Sequence, residues 1–94
     1  MYIVNVHLVC YDGWAETFEE RLKVHAHNSL TQDGCEQFTV ARDNDNPNSF
    51  RIWEVYRDEA AFQEHVGAEF MAEWRAASKD LIEARSLVHA TTLE

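Results

Sequence analysis

The chain has 94 residues, 46% of them hydrophobic and 12% aromatic, with three glycines and one proline, which is the composition of one small globular domain spanning 1–94. Seventeen acids against eight bases give a net charge of −9. That balance argues against nucleic acid and anionic membrane surfaces as partners, and it leaves room for a small anionic ligand in a locally basic pocket.

Cys10 and Cys35 make no disulfide framework and lack C-x-x-C spacing, so both read as small buried hydrophobes in a reducing compartment. No signal-peptide pattern is present, and no apolar run approaches the about 20 residues a membrane span needs, so a cytoplasmic protein is expected. A chain this short buries a limited core and calls for a partner subunit or very good packing.

Residues 2–10, YIVNVHLVC, alternate as a strand does, with Tyr2, Val4, Val6, Leu8 and Cys10 on one face and Ile3, Asn5, His7 and Val9 on the other. Asp12-Gly13 is a turn signal, and Asp12 is placed to cap the next helix. From Trp14 to about Gln32, Trp14, Phe18, Leu22, Ala26 and Leu30 keep an i, i+4 stripe, with His25 and Ser29 beside it. Gly34 in QDGC is the expected C′ residue. Residues 35–42 form a second strand. DNDNPNS is a turn, because Asp and Asn bond back to their own backbone and Pro47 cannot pair in a ladder.

A third strand over 50–57 alternates Phe50, Ile52, Glu54 and Tyr56 with Arg51, Trp53, Val55 and Arg57. Asp58 caps a helix carrying Ala61, Phe62 and His65, and Gly67 breaks it before a second run over 69–83 with Phe70, Trp74, Ala77 and Leu81 on one stripe. The tail SLVHATTL has the β-branched character of a last strand.

The order is β-α-β-β-α-β, a ferredoxin-like α+β fold. Right-handed crossovers put both helices on one face of the sheet. Strands one and three nevertheless carry large apolar residues on both faces, which calls for a second layer, and a second copy of the chain packed sheet against sheet is the economical one.

Glu54 and Tyr56 share a face of strand three, and a buried carboxylate there needs a partner. It reads either as half of a core or interface ion pair, for instance with an arginine, or as an acid in a pocket. Of the five histidines, His25-x-His27 fails as a metal pair because i and i+2 do not share a helix face, and no other ligand spacing is present, so no metal is expected. His25 and His65, near the apolar sides of their helices, are candidates for proton transfer. No nucleophile elbow, phosphate loop or dinucleotide fingerprint appears, so no cofactor is expected. Ser29, as a helix residue, reads first as bonded to its own backbone. What remains is a small aromatic cavity of Trp14, Phe18, Phe62, Phe70 and Trp74, with imidazoles, a carboxylate and a phenol around it.

The run GCEQFTVARD at 34–43, the pattern F-x-I-W-E-V-Y-R-D-E-A-A-F-x-x-H at 50–65, Trp74 nine residues after His65, and H-x-x-x-S-L-x-x-x-G-C at 25–35 together resemble the antibiotic biosynthesis monooxygenase (ABM) family over essentially the whole chain. The resemblance implies a dimeric α+β barrel and puts Glu54, Tyr56 and His65 at signature positions. It also implies one of two activities: cofactor-free oxidation of quinols or polyketide phenols, or isomerisation of a phosphorylated autoinducer-2-type diketone. The family's small-Pro-His-aromatic element after His65 is replaced here by GAEFM, which sets Phe70 where a second histidine stands.

The expected site on this basis has His25 or His65 as base and Glu54 and Tyr56 as orienting groups. Trp14, Phe18, Ser29, Phe62, Phe70 and Trp74 would surround a small-molecule substrate. An isomerase would further need cations for its phosphate, for which Lys23, Arg42, Arg51 and Arg57 are candidates without a recognisable phosphate motif. A non-catalytic dimeric metabolite-binding or stress-response module is the third reading, with Glu54 and His65 then a structural pair.

Overall fold

The computed structural model describes residues 1–93. The elements run β1 (Tyr2–Cys10), α1 (Ala15–Leu30), β2 (Cys35–Arg42), β3 (Ser49–Tyr56), α2 (Glu59–Val66), α3 (Glu69–Ser78), a 3₁₀ turn (Lys79–Leu81) and β4 (Ile82–Thr91). The strands form one antiparallel sheet in the order β2-β3-β1-β4, a ferredoxin-like α+β arrangement whose second helical segment is divided in two at Gly67. Among the described residues no helix is long and apolar enough to cross a membrane.

Period-two alternation decides which face meets the helices. Val4 of β1 lies opposite Glu54 of β3, and Phe38 of β2 lies opposite Glu54 on its other side. Residues Val4, Leu8, Phe50, Ile52, Glu54 and Tyr56 are buried on this face, with Phe18 of α1 packed against Phe50 at 4.9 Å between ring centroids. The opposite face carries Trp53 and Val88, 44% and 61% exposed, with none of the described residues covering them. β4 lies at the edge, and all of it after Ile82 is exposed.

Several local expectations are corrected. Asp12 does not cap α1. Trp14 is the Ncap, without a side-chain hydrogen bond, and Asp12 Oδ1 accepts from Asn48 Nδ2 at 3.4 Å. Trp14 and Leu30 are exposed, because four residues turn about 400° and a strict i, i+4 stripe drifts about 40° per step off the buried face. The buried positions are Ala15, Phe18, Leu22, His25, Ala26 and Ser29. β3 starts and ends one residue earlier than expected. The run expected to be helical to residue 83 ends at Ser78, because β4 begins at Ile82, which pairs with Cys10, while Leu81 C=O accepts from Tyr11 N–H at 2.9 Å. Long-range pairing overrides local helical periodicity there.

Gly34 is not a left-handed helix stop: α1 ends in an αR cap at Thr31, and the positive φ belongs to Gly13, at 89° in the turn after β1. Its reason for being glycine is proximity. A Cβ at Gly34 would stand 2.5 Å from Cβ of Ala61, so α2 rests directly on the chain entering β2. Gly34→Ala should therefore lower stability by about 1–3 kcal/mol through overpacking. Adding Ala61→Gly should cost less than the two single changes summed. Urea unfolding of the two single variants and the double checks this, and strict additivity would refute the contact.

Candidate active site

The helix-facing side of β3, the inner face of α1 and the end of α2 converge on four polar side chains. Glu54 comes from the middle of β3 and is 6% exposed. Tyr56, two residues on and fully buried, donates its hydroxyl to Glu54 Oε1 at 2.5 Å. Asp58 caps α2 by accepting from Ala61 N–H at 2.8 Å, and this short helix ends with His65 pointing inward. Ser29 Oγ donates to the His25 carbonyl at 2.8 Å inside α1, the local backbone bond expected of it.

His65 is held through one ring nitrogen. Its Nδ1 lies 2.8 Å from Gln32 Oε1, an acceptor, so Nδ1 carries the proton and Nε2 keeps its lone pair. Nε2 stands 4.0 Å from Glu54 Oε1, too far for a hydrogen bond. The His25 ring is 5.6 Å from that of His65 and stacks on Trp74 at 4.8 Å, with a 10° tilt. Its Nδ1 is buried and has no hydrogen-bond partner among the described residues. A buried polar atom left without a partner is uncommon in a protein core.

Burial sets the charges. It lifts the Glu54 carboxyl to about 7 against the opposing pull of the Tyr56 hydrogen bond. It presses His65 down to about 4, helped by the Arg75 charge, and His25 to about 3, helped by His65 and Arg75. The Tyr56 phenol is raised by burial and by Glu54. At neutral pH the site therefore presents two uncharged imidazoles beside a carboxyl poised between its two forms.

These groups border a cavity of about 580 Å³, in the range that takes a small organic molecule. Of the residues singled out in the sequence, His25, Glu54, His65, Phe62 and Trp74 line it. Tyr56 stands behind Glu54. Phe70 packs on both imidazoles, 5.7 Å from His25 and 5.8 Å from His65, and borders a separate groove between α1 and α3. Phe18 is core, against Phe50 and Trp74, and Trp14 lies exposed at the start of α1. Glu54 has two readings from the sequence, half of an ion pair, for instance with an arginine, or an acid in a pocket. Among the described residues no arginine pairs with it, and its hydrogen-bond partner is the Tyr56 phenol. Among those residues, too, no three His, Cys, Asp or Glu side chains converge as metal ligands do.

Sequence reading missed the rest of the wall. Arg75, Lys79, Arg85 and His89 also line the cavity, brought there by α3, the 3₁₀ turn and β4. The i, i+4 spacing of Arg75 and Lys79 and the alternation of Arg85, Leu87 and His89 were the available signals. Neither says which cavity the residues reach.

The antibiotic biosynthesis monooxygenase family model matches residues 1–79, most of the chain and all of the elements that carry Glu54, Tyr56, His65 and His25. The chain belongs to this family. Its fold recurs in solved structures, among them a Nitrosomonas europaea protein provisionally named an antibiotic biosynthesis monooxygenase, 23% identical with a TM-score of 0.94 and 100% of each chain covered. A Deinococcus radiodurans protein with the same provisional name is 22% identical, with a TM-score of 0.93 over 100% of this chain and 94% of that one. A Mycobacterium tuberculosis protein is 18% identical, with a TM-score of 0.91 over 99% of this chain and 95% of that one. No curated protein matches the sequence. ABM membership supports an activity of the monooxygenase type, and the likeness to solved structures shows the fold.

Proposed function

We propose that this ABM-family protein is a cofactor-independent monooxygenase that oxidises a small aromatic hydroquinone or polyphenol with molecular oxygen. The observation that carries the reading is the meeting, in one cavity, of two uncharged imidazoles with a buried carboxyl. Among the described residues His65 Nε2 has no partner within hydrogen-bond reach, and neither does the buried His25 Nδ1.

Triplet oxygen reacts slowly with closed-shell organic molecules, so an electron-rich substrate must supply the first electron. Removing a proton from a hydroquinone makes a phenolate able to do so. His65, its tautomer fixed by Gln32, takes that proton on Nε2. His25 meets the substrate oxygen from the other wall, and Glu54, backed by Tyr56, orients the imidazolium that forms. The semiquinone and superoxide combine at a ring carbon. Cleavage of the O–O bond then leaves one oxygen on the ring and releases the other as water, so hydroquinone and O₂ give hydroxyquinone and water. Phe62 and Trp74 exclude solvent from the ring.

A homodimer joined through the bare sheet face completes the proposal. Trp53 and Val88 are exposed there beside half-buried Ile3 and Val55, and the buried Asn5 Oδ1 has no partner among the described residues.

The test is oxygen uptake by metal-stripped protein over a panel of hydroquinones and polyphenols, with autoxidation blanks and ¹⁸O₂ labelling. Uptake that tracks the protein, puts one labelled atom in the product and falls in the His25→Ala/His65→Ala variant is the expected result. Uptake at the blank rate for every phenol overturns the reading and moves attention to isomerisation of phosphorylated diketones and then to ligand binding without chemistry.

A further inference from the structure

Cations are scarce in this chain, eight against 17 acids, and three of the eight border one cavity. Arg75 on α3 and Lys79 in the 3₁₀ turn are four residues apart and share a side. Arg85 comes from β4, where it lies opposite Leu8 of β1 and so on the helix-facing side of the sheet. All three are exposed, whereas Glu54, His25 and His65 are buried, so the cations mark the open end of the cavity and the proton-transfer groups its closed end.

The remaining bases differ in their company. Lys23 pairs with Glu19 and Glu20, Arg42 with Glu16 and Glu19, and Arg57 with Asp33. Arg21, bonded to the Ala77 carbonyl, and Arg51 have no acid partner among the described residues, but they stand apart from one another outside this cavity. Among the described residues, Arg75, Lys79 and Arg85 have no acid partner, and Glu54 is the one acidic residue on the cavity wall. Arg75 spends a single N–H on the Val66 carbonyl, at 2.8 Å, which leaves most of its guanidinium donors free. In a chain of net charge −9, like charges gathered without a counter-charge repel until an anion sits among them. A merely solvated basic patch has no reason to share its lining with Phe62, Trp74 and the imidazoles.

We infer that the substrate is an aromatic oxyanion, a ring bearing a carboxylate or a phosphate ester, whose charged group is held at the cavity mouth by Arg75, Lys79 and Arg85 while the ring reaches His25, His65 and Glu54. The inference rests on the reading of this cavity as the substrate site, and it adds a selection that the oxidation itself does not require: a neutral hydroquinone carries the reactive ring but leaves the cations unanswered.

Calorimetric titration of the full chain with 2-naphthoate, 2-naphthyl phosphate and the neutral isostere 2-naphthamide tests binding without any turnover. Either or both anions should bind at least about tenfold more tightly than the amide, as charge-assisted hydrogen bonds predict. The preferred anion then tells carboxylate from phosphate. About 0.5 M salt should shrink the margin. Lys79→Gln/Arg85→Gln, both exposed positions, should abolish it, and Lys23→Gln, which removes one charge outside the cavity, should preserve it. Equal affinity for the amide and both anions, or loss of the margin in Lys23→Gln, overturns the inference. Anion selectivity without any oxygen uptake removes the monooxygenase reading alone. Uptake on neutral hydroquinones with no anion selectivity removes this inference alone.

Discussion

His65→Ala should lower kcat/KM for oxygen uptake by about 10²–10⁴-fold, the usual worth of a positioned general base. The imidazole is 1% exposed, so a companion His65→Gln variant, which fills more of the space, separates lost chemistry from a loosened core. In the proposed mechanism Gln32 is a positioning residue. Its amide oxygen holds the Nδ1 proton of His65, and Gln32→Ala should reduce kcat by about tenfold while leaving KM nearly unchanged, because the ring is freed to present the wrong nitrogen. Steady-state kinetics on all three variants checks the assignment. Full turnover in both His65 variants would remove His65 from the mechanism and leave His25 as the base.

The second large effect is in the pH dependence of stability, where opposite signs meet. Burial raises the Glu54 carboxyl from 4.5 to about 7, so the folded protein holds that proton more tightly than the unfolded chain does. Its contribution is complete below pH 4.5 and is lost as pH rises through 7. His65 and His25 are depressed from 6.5 to about 4 and about 3, so their contributions are present above 6.5 and are lost as pH falls through 4 and 3. Stability should therefore peak near pH 6.5.

Glu54→Gln keeps an acceptor for the Tyr56 hydroxyl and removes the titration. The stability difference between variant and native chain should swing toward the variant by on the order of 3 kcal/mol between pH 4.5 and 7.5. Urea melts across that range measure it, and a pH-independent difference would show that Glu54 is not the buried acid described. An inflection of kcat/KM near pH 7 should vanish in the same variant.

Much of the frame was legible because its signals are local. Period two placed β1 and β2 to the residue, and Asp58 and Gly67 bracketed α2 through cap chemistry. The site was partly legible for the same reason: Glu54 and Tyr56 lie two apart on one strand, and His65 lies one turn past a buried alanine. What stayed hidden depends on distant partners. That Glu54 faces the helices follows from its pairing with Val4 and Phe38. The early end of α3 follows from Ile82 pairing with Cys10. Gly34 was read as a helix stop because its neighbour Ala61 is 27 positions away and nothing local announces the contact. The aromatic set divided because a helical stripe shows which side chains are buried, not whether they border a cavity or fill a core: Phe18 fills, and Trp74 borders.

β4 gives the cavity Arg85, Leu87 and His89, yet among the described residues it has no strand beyond it and no layer over its outer face. A wall of that kind is borrowed rigidity. An edge strand frays more readily than the middle of a sheet, and the residues it carries lose their fixed positions whenever it does. A partner seated against the outer face of β4 would therefore stabilise the cavity wall by mass action, and dilution that strips it away would loosen the mouth of the cavity before it touches the core.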